Sequence, residues 1–265
     1  MRDNDIITTF DGQMWTKADL LERMVDNEFY YGYLGKNMLS SSSVKDLLKS
    51  PRAYANSVKY PQDDIDAFKF GRVIHEAILE PDMDYEWNIV EAKDKRSKEW
   101  KDAVKENIPN TILKRDHDAC MRVVGAYNKN SNTKNLLDDY DTEVPMVGVI
   151  DGVPFRAKAD AIHKLRDAIR DLKTTGDILK FNKWTCMSYG YDCQVYIYCE
   201  LFGVHWSSFD FIAIDKITHV AGLYDVSEEF YEGGKRKTLE AIATYKKYFM
   251  NREEDVKDFI ITNTL

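Results

Sequence analysis

The chain has 265 residues, of which 44% are hydrophobic and 31% charged, and its formal net charge at pH 7 is −8. This balance indicates a globular protein of one large domain or two small ones, and the absence of an apolar run of about 18 residues argues against a transmembrane helix. The polar start MRDNDIITTF does not resemble a secretory signal. The acidic net charge argues against a basic nucleic-acid binder, but a local basic groove can still hold a phosphate backbone, so charge leaves the function open.

Cysteine usage favours a reducing compartment. No CxxC pair occurs among Cys120, Cys186, Cys193 and Cys199, and the last three fall within one predicted helix. We interpret these thiols as packed side chains rather than metal ligands. A cytoplasmic location is the expectation.

The N-terminal part is predicted to be helical. Thr16 can cap a helix that runs to about Asn27, and the aromatic stretch YYGYLG (30–35) suggests a packed loop. A serine near Ser42 can cap a short helix, and Pro51 suits the first turn of the next one.

Two further helical stretches follow. Apolar residues recur at helical spacing from Ile65 to Leu79. The segment from about Lys98 to Asp138 is also predicted to be helical, with a break at Ile108-Pro109-Asn110. Its charged face suggests a cap or an insertion.

The pattern then changes to β-type. The predicted elements, in chain order, are a hairpin of Val144–Ile150 and Val153–Ile162 with its turn at Asp151-Gly152, a strand Ala168–Lys173, a helix Phe181–Phe202 ended by Gly203, strands Trp206–Ile214 and Thr218–Val226, and a helix Glu228–Met250. This order predicts an α/β fold, a central mixed β-sheet flanked by helices, in a single domain.

Two aspartates occupy neighbouring predicted strands. Successive strand residues alternate between faces, so Asp160 lies opposite the apolar face of its strand, and Asp171 shares a face with Lys173. If the two strands pair antiparallel, the two carboxylates come close together and repel each other unless a cation lies between them. We expect Asp171 to be accessible to solvent at the edge of the sheet.

A hard cation such as Mg²⁺ suits this arrangement. Two aspartates, a backbone carbonyl such as that of Leu172 and a phosphate oxygen supply the oxygen ligands that it prefers. Lys173 could then position or deprotonate a water, or stabilise charge on a phosphate. The alternative is an ordinary surface ion pair, because a single DxK is a common sequence, and others occur at Asp255 and, as ExK, at Glu99.

Two helices carry further candidates. His75 lies in GRVIHEAILEP, where a lone histidine is commonly a packed side chain. Gln194 and Tyr198 are four residues apart in YGYDCQVYIY and share a helix face, with Tyr191 nearby. These side chains could reach a phosphate or a water, although tyrosine-rich helices also bury their rings.

Together these motifs resemble one family. The order Gly71-xxx-His75, Asp160, Asp171-x-Lys173 and Gln194-xxx-Tyr198 resembles the PD-(D/E)xK nucleases of the RecB-like branch, which have a restriction-endonuclease-like core. The blocks SSSSVKDLLKSPRAY, FKFGRVIHEAILEP, RAKADAIHK, IRDLKTTGD and YGYDCQVYIYCELFG are similar to those of exonuclease VIII, the RecE-type phage recombination nuclease. The resemblance covers about residues 40 to 215.

The resemblance implies a role for each matched residue. His75, Asp160, Asp171 and the carbonyl of Leu172 would bind Mg²⁺ or Mn²⁺, and Lys173 would act on the water. Gln194 and Tyr198 would organise the site and the DNA backbone. Ser50 stands where some RecB-like nucleases have a cluster-binding cysteine, so we expect no iron–sulfur cluster.

By the same resemblance, the reaction is hydrolysis of DNA phosphodiesters from the ends of linear duplexes, 5′ to 3′. A closed homo-oligomeric ring and a single-strand annealing protein as partner are also implied. The domain would span 1–265, with an N-terminal extension (1–40), a helical insertion or cap (98–139) and a catalytic core (41–97 and 140–250). The alternatives are an endonuclease or single-strand nuclease on the same fold, and an inactive module that binds DNA or a protein partner.

Basic residues near the motifs are candidates for DNA contacts. They are Arg72, Lys158, Lys180 and Lys183, with Tyr191 beside them. Lys180 and Lys183 start the helix that follows the DxK strand. The positive N-terminal end of this helix would favour a phosphate. The alternative for this pair is a solvated helix start.

Overall fold

The computed structural model describes residues 5–60, 66–83, 85–105 and 110–261. The α-helices are α1 (Lys17–Arg23), α2 (Leu34–Asn37), α3 (Ser41–Lys49), α4 (Pro51–Lys59), α5 (Asp66–Leu79), α6 (Lys98–Lys105), α7 (Lys114–Lys129), α8 (Lys183–Tyr189), α9 (Tyr191–Phe202) and α10 (Glu228–Tyr245). The strands are β1 (Ile6–Thr8), β2 (Met14–Thr16), β3 (Asn88–Val90), β4 (Thr111–Leu113), β5 (Tyr140–Ile150), β6 (Val153–His163), β7 (Ile169–Thr175), β8 (Phe209–Asp215) and β9 (Ala221–Asp225). Glu28–Tyr33 and Lys246–Met250 are π-helical.

The central sheet has five strands in the order β5-β6-β7-β8-β9. Strands β7 and β8 are parallel, and the other neighbours are antiparallel. Helices α8 and α9 supply the crossover that a parallel pair of strands requires. The predicted α/β architecture, a mixed sheet flanked by helices, is therefore confirmed. The pairs β1–β2 and β3–β4 were not predicted, because strands of three residues are too short to show alternation.

Helices cover both faces of the sheet. On one face, apolar residues of α3, α9 and α10 pack against Phe155, Phe209 and Phe211 of the sheet. On the other face, α5 and α7 pack against Leu172 and Ile212. The two faces of β7 therefore serve different layers: Ile169 belongs to the first core and Leu172, three positions later, to the second. A three-layer fold of this kind buries both sheet faces.

Strands β6 and β7 pair over only two positions. The register joins Ala161 to Arg170 and Ile162 to Ile169. Beyond this point the two strands separate, at Asp160 and Asp171. A separation of neighbouring strands leaves ladder N–H groups that need other partners. The opening between β6 and β7 is the floor of the cleft described below.

The N-terminal segment joins the sheet through Leu39. The N–H of Leu39 donates to the carbonyl of Pro154 at 3.0 Å, and the N–H of Arg156 donates to the carbonyl of Leu39 at 2.9 Å. The predicted helix starts are confirmed, with a threonine or serine cap or a first-turn proline at each. The Thr16 side chain accepts from the N–H of Asp19, Ser40 caps α3, and Pro51 is the first residue of α4.

Several predicted boundaries were wrong. The stretch YYGYLG is helical rather than a loop, since it lies in the π-helix and α2. Helix α1 ends at Arg23 rather than near Asn27. The single helix predicted from Phe181 to Phe202 is two helices, because Gly190 adopts φ 80°, a left-handed conformation that interrupts the helix.

The predicted helical segment from Lys98 to Asp138 is interrupted by a strand. Helix α6 is followed by β4, which pairs with β3, and then by α7. Helix α7 contributes Cys120 and Val123 to the core that it shares with α5. Ile108 and Pro109 of the predicted break, and Ile65 of the predicted helix start, lie outside the described residues.

Candidate active site

A cleft of about 1970 Å³ opens over the point where β6 and β7 separate. Helix α5 forms one wall, and α3 with the start of α9 forms another. Its lining includes these residues predicted for the site: Arg72, His75, Lys158, Asp160, Lys173, Lys180, Tyr191, Gln194 and Tyr198. The fold therefore brings together side chains as far apart in the sequence as Arg72 and Tyr198.

Asp160 is held by the backbone of the neighbouring strand. Its Oδ2 accepts a 2.8 Å hydrogen bond from the N–H of Leu172. Because β6 and β7 no longer pair here, the carboxylate takes the place of a ladder carbonyl. Nδ1 of His75 lies 3.5 Å from the same oxygen. Asp160 therefore sits at the junction of β6, β7 and α5.

Asp171 is completely buried, contrary to the expectation of a solvent-accessible carboxylate. The expectation was wrong because β7 is an inner strand and α9 covers this face. The Nε2 of Gln194 donates a 2.5 Å hydrogen bond to Oδ1 of Asp171, and Lys173 forms an ion pair with Oδ2. A buried charge of this kind is maintained only with such partners.

Burial raises the pKa of both carboxyl groups. For Asp171 the loss of hydration comes first and the negative charge of Asp160 adds to it, and together they raise its pKa to about 6 against the attraction of Lys173. The pKa of Asp160 is also raised by burial, although Lys173 and the Leu172 N–H oppose the shift. The two carboxylates thus repel each other, as their strand positions predicted.

Lys173 is held in its charged form. Burial alone would lower its pKa, but the carboxylates of Asp171 and Asp160 more than offset this and raise its pKa. The Lys173 ammonium also lies 4.9 Å from the centre of the Tyr191 ring. A protonated lysine stabilises negative charge and does not accept a proton, so the arrangement favours the electrostatic alternative for Lys173 over the general base.

His75 faces the same carboxylates from α5. Burial, followed by the positive charge of Lys173, lowers its pKa to about 4, against the attraction of Asp171 and a hydrogen bond to the backbone of Leu172. The imidazole is therefore neutral near pH 7. A neutral imidazole is the form that binds metal ions.

Tyr198 and Tyr191 occupy different environments on α9. The hydroxyl of Tyr198 donates a 2.8 Å hydrogen bond to the carbonyl of Lys158, so it anchors β6 to the helix. Tyr191 packs between Phe181, Tyr189 and Phe211.

Two of the predicted DNA-contacting cations lie at the cleft wall with protein partners. Lys158 forms an ion pair with Glu143 at 3.2 Å. Arg72 donates a 2.6 Å hydrogen bond to Oδ1 of Asn110, and its guanidinium lies 4.8 Å from the centre of the Trp87 ring.

Lys180 and Lys183 do not behave alike. Lys180 lines the cleft, is largely exposed and lies 3.1 Å from Asp177. Lys183 is not among the cleft-lining residues and pairs with Glu229 at 2.5 Å. The side chain of Asn182 already accepts hydrogen bonds from the N–H groups of Trp184 and Thr185. The expected phosphate site at the start of α8 is thus occupied by the helix's own cap.

Glu143 is a cleft residue that the sequence did not reveal. The β5–β6 register passes from Thr142–Ala161 to Val144–Ala159, so Glu143 stands opposite Asp160 and outside the ladder. Its φ of 52° marks an irregularity in the strand. Burial, with the charge of Asp160, raises its pKa to about 7. Pro145, a residue typical of edge strands and bulges, was the available signal.

The donor set fits a hard divalent cation, although the described residues contain no cluster of three His, Cys, Asp or Glu side chains in a metal-binding arrangement. Asp160 lines the cleft with about 15% of its side chain exposed, and Asp171 lies buried behind Lys173 and Gln194, which also line it. Oδ2 of Asp171 accepts no hydrogen bond of normal geometry from the described residues, and its ion-pair partner is Lys173. Mg²⁺ commonly takes only one or two protein carboxylates and completes its shell with water and substrate phosphate. The four cysteines are all buried and contribute no group to this cleft.

The sheet, the cleft and the Asp and Asp-x-Lys residues on adjacent strands define a PD-(D/E)xK-like domain, the class expected from the sequence. The chain belongs to the family described as a PDDEXK-like domain of unknown function (DUF3799), which matches residues 40–257. No curated protein matches the chain significantly. The finer similarity to exonuclease VIII remains a prediction.

One solved structure shares the fold. A protein from Eubacterium rectale, provisionally described as an exonuclease, superposes with a TM-score of 0.58 over 91% of this chain and 95% of its own, at 13% identity. A phage-related exonuclease from Haemophilus somnus matches 81% of this chain and 96% of its own at 14% identity, with a TM-score of 0.34. In the part of the chain that the structure describes, no helix is long and apolar enough to cross a membrane.

Proposed function

We propose that the protein is a divalent-metal-dependent nuclease that hydrolyses DNA phosphodiester bonds. The observation that carries the proposal is the placement of Asp160, Asp171 and Lys173 together where β6 and β7 separate, with Asp171 fully buried, Asp160 mostly buried and Lys173 charged. Membership of a PDDEXK-like family supports the same chemistry.

Each residue has a task in this proposal. Asp160, Asp171 and the Leu172 carbonyl, with neutral His75, would hold Mg²⁺ or Mn²⁺, which supplies Lewis-acid activation of water and phosphate when bound. Lys173 stabilises the negative charge that develops on the phosphate. Gln194 fixes the orientation of Asp171, and Tyr198 fixes β6 beside Asp160.

We further propose exonuclease action on linear duplex ends, in 5′ to 3′ direction, in phage recombination or DNA processing, with a homo-oligomeric ring and an annealing protein as partner. This finer proposal rests on the resemblance of the motifs to exonuclease VIII. Arg72, Lys158 and Lys180 are the candidates for phosphate contacts, because they line the cleft. Lys183, the fourth predicted contact, pairs with Glu229 and is not among the residues that line the cleft.

A comparison of substrates tests the finer proposal. Linear duplexes labelled at the 5′ or the 3′ end, a covalently closed circle and a single-stranded circle are each incubated with the protein and Mg²⁺. Early release of the 5′ label, with both circles intact, is the expected result. Cleavage of a circle would identify an endonuclease, and the absence of cleavage on every substrate would favour an inactive binding module.

A further inference from the structure

Exposed aromatic side chains gather at the mouth of the cleft. Among the described residues, five aromatic side chains are more than half exposed: Tyr31 (64%), Tyr60 (64%), Phe68 (58%), Trp184 (74%) and Tyr189 (54%). All of them except Trp184 line the cleft. Single exposed apolar residues are ordinary, but a group of exposed rings at one cleft indicates a binding surface. We call Tyr31, Tyr60, Phe68 and Tyr189 the rim rings.

The rim rings come from separate parts of the chain. Tyr31 lies in the π-helix, Tyr60 follows α4, Phe68 is on α5 and Tyr189 ends α8. Their grouping is therefore a property of the folded chain and not of one local segment. Folding places them around the same opening, while the neighbouring Tyr30 is buried and Tyr191 packs against Phe181 and Phe211 deeper in the cleft wall.

Positive side chains accompany three of the rim rings. The Lys45 ammonium lies 5.8 Å from the centre of the Tyr189 ring, and that of Lys59 lies 5.0 Å from the Tyr60 ring. The guanidinium of Arg156 lies 5.9 Å from the Tyr31 ring. Aromatic faces interleaved with cations offer stacking to flat groups and attraction to phosphates at the same time.

A single nucleic-acid strand matches both features. Its unpaired bases have free faces that stack on aromatic rings, and its phosphates are attracted to the nearby cations. The bases of an intact duplex are already stacked on each other and do not offer these faces. The net charge of −8 makes this local combination more significant, because the protein as a whole repels a polyanion.

We propose that the cleft receives an unpaired DNA strand whose bases stack on the rim rings. The strand then leads to the floor, where Asp160 and Asp171 lie. This inference deepens the proposed nuclease function and depends on it for the role of the strand as substrate. The stacking surface itself can be tested without cleavage.

The experiment measures binding by fluorescence anisotropy, in a chelator so that no metal-dependent cleavage occurs. The probes are a labelled single strand, an abasic strand of the same length and a blunt duplex. We expect the single strand to bind tightest. Tyr31→Ala, Tyr60→Ala, Phe68→Ala and Tyr189→Ala should each weaken its binding on the order of 10-fold, because each removes a ring on which one base stacks. Binding of the abasic strand should not change.

Trp184→Ala is the matched control, since Trp184 is more exposed than any rim ring but lies outside the cleft lining. It should leave binding unchanged, and Tyr189→Trp should retain the affinity that Tyr189→Ala loses. Equal affinity for the normal and abasic strands, or wild-type affinity in all four rim variants, would overturn the proposal. Base-dependent binding by a protein that cleaves no DNA would reject the nuclease and keep the stacking surface.

Discussion

The side-chain amide of Gln194 holds the carboxylate of Asp171 at a donor–acceptor distance of 2.5 Å, across the interface between α9 and β7. Both side chains are buried, with 9% of Gln194 and none of Asp171 exposed. Asp171 Oδ1 therefore depends on this amide for its hydrogen bond. The relationship makes Gln194 a positioning residue for the floor of the cleft.

Replacement of Gln194 should weaken the site in two distinguishable ways. Gln194→Leu keeps the volume but removes the hydrogen bond, and a buried acceptor left without a partner costs about 1–3 kcal/mol. Gln194→Glu places a second carboxylate against Asp171 and should raise the Mg²⁺ concentration needed for half-maximal cleavage. Titration of Mg²⁺ against cleavage rate measures this shift. Wild-type Mg²⁺ dependence in both variants would contradict the positioning role.

Lys173 should contribute by its charge rather than by accepting a proton. Lys173→Met has a side chain of similar length without the charge and should reduce the cleavage rate by about 10²- to 10³-fold, as for other groups that stabilise developing charge. Lys49→Met is the matched control at another cleft lysine, which pairs with Asp46. A normal single-turnover rate in Lys173→Met would disprove the role.

Two adjacent glycines in α10 provide a sharp test of the helix packing beneath the site. A Cβ on Gly234 would overlap the backbone carbonyl of Asp192 on α9, whereas a Cβ on Gly233 would meet nothing closer than 3.8 Å. Gly234→Ala should therefore destabilise the protein by about 3 kcal/mol or more, since backbone cannot yield easily. Gly233→Ala should be neutral or stabilising by up to about 1 kcal/mol.

Urea denaturation followed by circular dichroism gives both free energies of unfolding. The pair is informative because the two substitutions are chemically identical and one residue apart. Equal stabilities of Gly233→Ala and Gly234→Ala would contradict the close approach of α9 and α10.

The pKa of Glu143 should appear in the pH dependence of stability. Its pKa is about 7 in the folded protein, above the ordinary value of 4.5, so the folded state binds more protons than the unfolded state between these values. The contribution of Glu143 to the free energy of unfolding should then fall as pH rises from about 4.5 to 7, by at most about 3 kcal/mol. Glu143→Gln should flatten this part of the wild-type profile, measured by urea denaturation. An unchanged slope would show that Asp160 and Asp171 alone account for it.

The sequence predicted the α/β class and the elements that carry the motifs, because alternation and helical spacing are strong in β5, β6 and α5. It also placed Asp160 and Asp171 on adjacent strands. It did not show that Asp171 is buried, since the cover supplied by α9 depends on tertiary packing. Gly190 was missed as a helix break because the residues on both sides of it continue the helical pattern.

Other features depend on contacts between distant segments. The cleft opens because β6 and β7 pair over only two positions. The number of paired positions cannot be read from the alternation of apolar and polar residues in the sequence. The position of Glu143 opposite Asp160 follows from an irregularity in β5. The rim rings converge from four elements, so their grouping appears only in the folded chain.

The most direct test of the central claim is the cleavage of linear duplex DNA with and without Mg²⁺ by the wild type, Asp171→Asn and Asp177→Asn. Asp171→Asn changes the buried carboxylate that pairs with Lys173, and Asp177→Asn makes the same chemical change at a partly exposed residue of the cleft lining. Thermal unfolding confirms that each variant is folded. We expect Mg²⁺-dependent cleavage by the wild type and Asp177→Asn, and none by folded Asp171→Asn. Wild-type cleavage by Asp171→Asn, or no cleavage by any of the three, would contradict the account.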